Sequence, residues 1–466
     1  LNEKFFKPAN EEVTPGEWFT GEVEGDVTPN SYPILFVHGI NTSSKTWLLD
    51  NNMDDKANEH GFETAFIELY PDEDMWKNGL LLAEKLKEIY DYFQEKIVIV
   101  AHSKGGVDIQ AALVHFGATP YVLRVITLST PHNGSELADL AFSKWASWLS
   151  EGLNIKSNAV SSLQTGYMKA FRQLTDEHKD AKEVPFYTFG GTEWGAMNSE
   201  LFWGGLYLSR FGQSDGAVTV RSSRLLYGNE VMVGDWSHKT IKEGTTVFSY
   251  IKDLVMEEVK ETASAYTESL LQESETSVLH RGGSYLGKGV ERFPVDERVK
   301  ELSIDWISNR NDTALTLKSP HHTIYKSFIT TKDATGFFPN AYHHSILISD
   351  PPEGEWSLHF ENSGNENYLL TILFKQDISN ELVSLWKGEV VSAAFSSKKT
   401  YSKKITIISS LPSGEQKIIE AAEIPSQLNE GIHNITIDIS GTTKDGNKFE
   451  RTQVKSIYVD GNGDMF

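Results

Sequence analysis

The sequence predicts an α/β domain on a mostly parallel sheet, followed by one or two all-β sandwich domains. Three observations carry this expectation. Up to about residue 260, short β-branched runs alternate with helical patterns, the spacing of βαβ units whose strands pair in parallel. Over the last 200 or so residues the apolar period falls to two and helical patterns almost vanish. A chain of 466 residues also exceeds what one core holds, so two or three domains are expected.

The elements follow in order. "YPILFVHG" reads as a strand, 80–92 as a helix, "KIVIVAHS" as a strand and 107–116 as a helix. "VLRVITLST" and "VPFYTFGG" continue the sheet, and a last helix falls around 239–259. The polar, weakly patterned "KETASAYTESLLQESETS" reads as a linker. Beyond it Leu302, Ile304 and Trp306 alternate with polar neighbours, as do Trp356, Leu358 and Phe360, then Ile435, Ile437 and Ile439. Turn signals in "PPEGE", "LPSGE" and "KDGN" separate these runs. The expected boundaries are an α/β domain over 1–262 with a helical lid insertion at about 135–183, a sandwich over 263–376, and an Ig-like sandwich over 377–466. Within the insertion, Leu137, Ala141, Trp145, Trp148 and Leu149 fall at helical spacing, as an amphipathic helix or a covering flap would place them.

Composition excludes several classes of function. Lys and Arg total 43 against 65 Asp and Glu, and the net charge of −22 opposes nucleic acid and anionic membrane surfaces. No apolar run reaches the 18 residues or so of a transmembrane segment. Zero cysteines exclude disulfides, thiolate chemistry and Cys-bound zinc. "LNEKFFKPAN" reads as a processed mature end, and the missing cysteines fit an exported protein and a cytosolic one alike; the expectation is a secreted, extracellular protein. No cofactor is expected to be required. The terminal "DGNGDMF" has the D-x-N-x-D opening of a calcium loop but lacks its distal Glu, so structural calcium has no clear motif.

One turn carries chemistry. In "IVIVAHSKGGVDIQ", residues 97–110, Ser103 sits between a buried strand and a helix, flanked two positions away by the small Ala101 and Gly105. A sharp strand-to-helix turn of this kind holds the hydroxyl clear of the sheet and aims the helix N-terminus at a reacting carbon. The bland alternative is a glycine-rich turn whose serine only caps the helix. Acyl transfer also needs donors for the developing oxyanion. The His-Gly turn of "ILFVHGI" offers the Ile40 N–H, and the residue after the serine offers that of Lys104. Asp215 follows in "FGQSDGAV" and His238 in "GDWSHKT", giving the chain order Ser, Asp, His. Glu193 in "TFGGTEW" lies nearer a strand end and competes with Asp215 as the acid. His102 and His132 precede the acid and read as structural, and Asp235 reads as a loop carboxylate that helps orient the His238 loop.

Taken together, "VHGI", "AHSKGG", "LSTPHNGS", "SDGAV" and "SHKT", in this order over about residues 30–255, resemble the bacterial lipases and esterases of the α/β-hydrolase superfamily, especially the Gram-positive branch with Ala opening the elbow. The resemblance implies an α/β-hydrolase domain with Ser103 as nucleophile, Asp215 as acid, His238 as base, and Ile40 and Lys104 as oxyanion donors. Lys104 is charged where relatives often carry an apolar residue, so its backbone is expected to act; a substrate-facing ammonium would change acyl preference. The apolar stretch "MNSELFWGGLYLSRFG" just before Asp215 adds to the lid insertion and favours a greasy acyl pocket. The C-terminal β region departs from the minimal lipases. The expectation is a secreted serine carboxylic-ester hydrolase, a triacylglycerol lipase or carboxylesterase, whose ester or lipid substrate can be aggregated or polymeric. The alternatives are a polyester depolymerase with C-terminal substrate-binding modules and a catalytically inert binding or surface protein.

Overall fold

A computed structural model of the chain describes residues 14–22, 25–256, 276–376, 401–443 and 445–466. The N-terminal stretch, most of the linker and both expected domain junctions, at 262/263 and 376/377, lie outside the described residues. The chain divides into two compact units, one of residues 1–135, 157–194 and 212–270, the other of residues 136–156, 195–211 and 271–466.

The first unit is built on seven strands: β1 (Trp18–Thr20), β2 (Ile34–Val37), β3 (Thr64–Ile67), β4 (Ile97–His102), β5 (Val122–Leu128), β6 (Phe186–Gly191) and β7 (Asn229–Gly234). Their order is β1-β3-β2-β4-β5-β6-β7, with every pair parallel except the antiparallel edge of β1 on β3. The continuous apolar runs have a simple cause, since this sheet is buried on both faces. Leu35, Val37, Ile97, Ile99 and Ala101 face one core with Leu82, Leu86 and Ile89 of the Met75–Phe93 helix. Ile34, Phe36, Val98 and Val100 face a second core with Trp47, Val247, Phe248 and Ile251. The Met75–Phe93 helix begins five residues before the expected start, because the Asp74 side chain accepts the N–H groups of Trp76 (3.0 Å) and Lys77 (2.9 Å). The last helix is shorter than expected, Gly244–Val255.

The second unit holds two antiparallel sheets. The first comprises β8 (Thr276–Val295), β9 (Val299–Ser308), β10 (Ala314–Lys318), β11 (Ile324–Tyr325), β12 (Ile329–Lys332), β13 (Tyr342–Ser349) and β14 (Gly354–Gln376), in the order β11-β10-β14-β9-β13-β12 with β8 also on β14. The 23-residue β14 shifts register between Asn362 and Glu366, which lets it pair β10 with one half and β9 with the other. The second sheet, β16-β15-β17-β18, comprises β15 (Tyr401–Ser410), β16 (Gln416–Ala421), β17 (Gly431–Thr442) and β18 (Lys448–Val459). The period-two reading holds at Trp356, Leu358, Phe360, Ile435, Ile437 and Ile439, all buried.

Three helices that interrupt the chain of the first unit belong to the second: Glu136–Ala141, Ser147–Gly152 and Phe202–Leu208. The single helix suggested by the spacing of Leu137, Ala141, Trp145, Trp148 and Leu149 is broken into two. Trp145 lies between them, where its indole N–H donates to Asp438 Oδ1 (2.9 Å), and Trp148 is exposed. Asp139 accepts from Ser456 (2.7 Å) and its carbonyl from Asn434 (2.7 Å), which fixes the first helix on β17 and β18. The Phe202–Leu208 helix lies against Ser303, Asp305, Ser345 and Leu347. Its cover explains why β9 is buried on its polar face as well as its apolar one.

On that covered face His343 is 1% exposed, with Nδ1 2.9 Å from Asp305, Nε2 3.1 Å from Asp333, and its ring stacked on Trp203 at 4.9 Å. Burial pulls the imidazolium down, but Asp305 and Asp333 outweigh it and hold its pKa up at about 10. A histidine whose folded value exceeds its unfolded one adds stability that is complete below about pH 6.5 and is lost as the pH climbs through the folded value. The contribution is on the order of a few kcal/mol. The melting midpoint of the second unit should therefore fall as the pH is raised from about 7 to about 10. His343→Gln should melt lower at neutral pH and follow a flatter profile; a variant tracking the parent in parallel would rule out this clamp.

Candidate active site

The turn after β4 is sharp and strained. Ser103 has φ +53, a left-handed conformation uncommon for a residue with a Cβ. Such a conformation persists only where the surroundings over-determine it. Here Gly105 permits the helix Gly105–His115 to approach so closely that a Cβ there would stand 2.4 Å from the His38 carbonyl oxygen. Ala101, at the other flank, is fully buried.

The structure brings Ser103, His238 and Asp215 together in one line. His238 Nε2 lies 3.1 Å from Ser103 Oγ, and His238 Nδ1 lies 2.7 Å from Asp215 Oδ2. Asp215 is fully buried, and its other oxygen accepts the N–H groups of Ala217 (3.0 Å) and Val218 (2.8 Å). The His238 N–H in turn donates to the Asp215 carbonyl (2.8 Å). Two backbone donors on one carboxylate oxygen leave the other aimed at the imidazole, which fixes its orientation.

The competing residues fall elsewhere. Glu193 is exposed, and its N–H donates to the Trp236 carbonyl (3.1 Å). His102 donates from Nε2 to the His238 carbonyl (2.9 Å), supporting the loop of His238; burial, then the neighbouring His238, push it well below its ordinary range. His132 is fully buried with Nε2 3.4 Å from the Thr127 hydroxyl. Asp235 accepts from Thr192 (3.1 Å), which ties the loop after β7 to the end of β6. Among the described residues, no three His, Asp or Glu side chains are grouped to hold a metal ion. In the terminal turn, Asp460 Oδ1 accepts the N–H groups of Asn462 and Asp464 (2.9 Å each). The aromatic residues of the second apolar stretch pack within the second unit, Trp203 against Phe338 and His343.

Around Ser103, the N–H groups of Ile40 and Lys104 donate to no acceptor among the described residues. The Lys104 ammonium turns into the protein: it is 2% exposed and pairs with Asp108 Oδ1 (2.5 Å), one helical turn on. Asp108 Oδ2 accepts from Asn78 (3.1 Å), which also brackets the Tyr70 backbone. Burial, opposed by Lys104 and Asn78, raises the Asp108 carboxyl to about 6. Sequence reasoning missed Asp108 and Asn78. A Lys-Asp pair at i,i+4 is ordinarily a solvated helix face, and the only available signal was that both flank an otherwise apolar helix start.

Among the described residues no helix is long and apolar enough to cross a membrane. No protein-family model matches the chain, and no curated protein matches it. Among solved structures, the chain is similar to the Bacillus licheniformis lipase BlEst2 in propeptide form, at 37% identity and a TM-score of 0.89, over 97% of this chain and 100% of that one. It is also similar to the mature form of that lipase, at 48% identity and a TM-score of 0.50, over 52% of this chain and 100% of that one. With its parallel sheet, its additional C-terminal β region and this relative along nearly its whole length, the chain belongs to the bacterial lipases and esterases of the α/β-hydrolase superfamily.

Proposed function

We propose that the protein is a secreted serine ester hydrolase that works through an acyl-enzyme, and that Ser103, His238 and Asp215 are its nucleophile, base and acid. The observation that carries this reading is the unbroken line from Asp215 through His238 to a strained, buried Ser103, beside two N–H groups that donate to no acceptor among the described residues. His238 Nε2 takes the Ser103 proton as Oγ attacks the ester carbonyl. The carbonyl oxygen becomes an oxyanion that accepts from the Ile40 and Lys104 N–H groups. His238, now doubly protonated and held by Asp215, gives its proton to the leaving alkoxide, and water repeats the sequence on the acyl-enzyme.

The C-terminal β region is dispensable for this chemistry in our reading. The mature form of the Bacillus licheniformis lipase is covered completely by 52% of this chain, and all five proposed residues fall within the first 238. The relative's propeptide form supports export. The depolymerase alternative needs the β region on the working enzyme to hold a solid substrate. A chain ending near residue 265 separates the two. It should retain hydrolysis of short soluble esters and of an ester emulsion alike. Loss of activity on an emulsion or a polyester film alone, with soluble esters still turned over, would favour the depolymerase; loss of both with a lowered melting midpoint would make the β region a brace. A ladder of acyl chain lengths, assayed below and above the solubility limit, then distinguishes lipase from carboxylesterase.

A further inference from the structure

We propose that Asp108 and Asn78 are positioning residues for the oxyanion site, linking the Lys104 N–H to the Ile40 N–H through a chain of hydrogen bonds joined at the Leu69–Tyr70 peptide. The proposal rests on the reading of Ser103 as nucleophile and of these two N–H groups as donors.

The chain can be followed atom by atom. From the Lys104 ammonium it passes to Asp108 Oδ1 (2.5 Å), and from Asp108 Oδ2 to the Asn78 amide (3.1 Å). Asn78 donates to the Tyr70 carbonyl and accepts the Tyr70 N–H, both at 3.0 Å. The preceding residue, Leu69, donates its N–H to His38 Nε2 (2.9 Å). The opposite ring nitrogen, Nδ1, donates to the Gly39 carbonyl (2.9 Å). That carbonyl and the Ile40 N–H belong to the same planar peptide, so fixing one fixes the direction of the other. The bonding pattern assigns the neutral tautomer with its proton on Nδ1 to His38, in keeping with burial as the main influence on this ring, which lowers its pKa.

At the other end the same logic applies to the Ser103–Lys104 peptide. Its N–H is aimed by a serine in the left-handed region, a conformation that needs external restraint. A lysine whose ammonium were free would bend outward to water, since an unpaired buried charge is costly. Paired to Asp108 one turn on, it pulls the start of the helix into place. Both donors are thus referred to one connected set of partners, in which a shift of either strains a charge-assisted or bracketing bond.

A buried ion pair can often be replaced by apolar residues without loss of stability, which separates positioning from folding. The test compares Lys104→Met/Asp108→Leu and Asn78→Ala with the parent, each with active sites counted by a fluorophosphonate. The readouts are kcat and KM on a soluble ester and the inhibition constant of an alkylboronic acid, whose tetrahedral adduct places an oxygen where the oxyanion forms. Losing a whole donor lowers kcat by about 10²–10³, so misaimed donors should lower it by about tenfold to a hundredfold. KM should stay within about twofold. Boronate binding should weaken by the same factor as kcat, and Asn78→Ala, which keeps the ion pair, should show a smaller loss in the same proportion. Parental kcat and boronate affinity per active site in both variants would overturn the proposal, as would a loss of kcat with boronate affinity unchanged. Retained turnover in Ser103→Ala would overturn the reading beneath it, whereas an inactive Ser103→Ala beside a fully active double variant overturns the positioning role alone.

Discussion

Ser103→Ala is expected to lower kcat by about 10⁶, the loss seen when one member of a nucleophile–base unit is removed. The size follows from cooperation between the parts. With no Oγ to receive its Nε2, His238 has no proton to take, and Asp215 is left orienting an idle ring. Residual turnover would come from the oxyanion donors and from binding, roughly 10³–10⁴ over water. The fold should be little affected, because alanine keeps the Cβ and loses one 3.1 Å hydrogen bond. Steady-state rates on a soluble ester, alongside a melting curve, check this. A variant within tenfold of the parent, with the parent's midpoint, would dismiss Ser103 as nucleophile.

Asp215→Asn should cost about 10⁴ in kcat, and here the geometry explains the mechanism of the loss. Oδ1 is committed to the N–H groups of Ala217 and Val218, so the new amide keeps its oxygen there. Its NH₂ then faces His238 Nδ1 in place of Oδ2. A donor at that position forces Nδ1 to accept and leaves the ring proton on Nε2, the nitrogen that must accept from Ser103. Glu193→Gln, on an exposed side chain, should leave kcat close to the parent's. The opposite ranking of the two variants would transfer the acid to Glu193.

What could be read in advance follows from how local each signal is. The strands of the parallel sheet were legible because burial on both faces writes unbroken apolar runs into the chain, as at Ile34–Val37 and Ile97–His102. That Ser103, Asp215 and His238 come together was legible because a sharp turn restricts its neighbours' size and the fold imposes their order. The start of the Met75–Phe93 helix was not, since Asp74 sets it before any apolar periodicity begins. Nor was the break near Trp145, where a hydrogen bond to Asp438, 293 residues away, overrides helical spacing. The burial of Ser303 and Asp305 depends on a helix about a hundred residues upstream, and a period-two pattern carries no trace of that cover. Asp108 was hidden by the ordinariness of its spacing from Lys104, because only Asn78 and the surrounding packing make the pair a buried one.

The helix Glu136–Ala141 and the strands that hold it are separated by most of the chain. Ser456, which binds Asp139, is 317 residues further on. On a ribosome adding roughly 5–20 residues per second, that helix emerges about 15–60 s before its partner exists. During this interval Leu137, Leu140 and Ala141, all buried in the finished protein, have no strand to meet. Translation therefore delivers the second unit in an order opposite to the one its assembly needs: the inserted helices come first and their sheets last. The first unit is likewise interrupted by two excursions, 136–156 and 195–211, whose partners are made last, so the time between their synthesis and that of the β region sets how long those apolar surfaces stay uncovered.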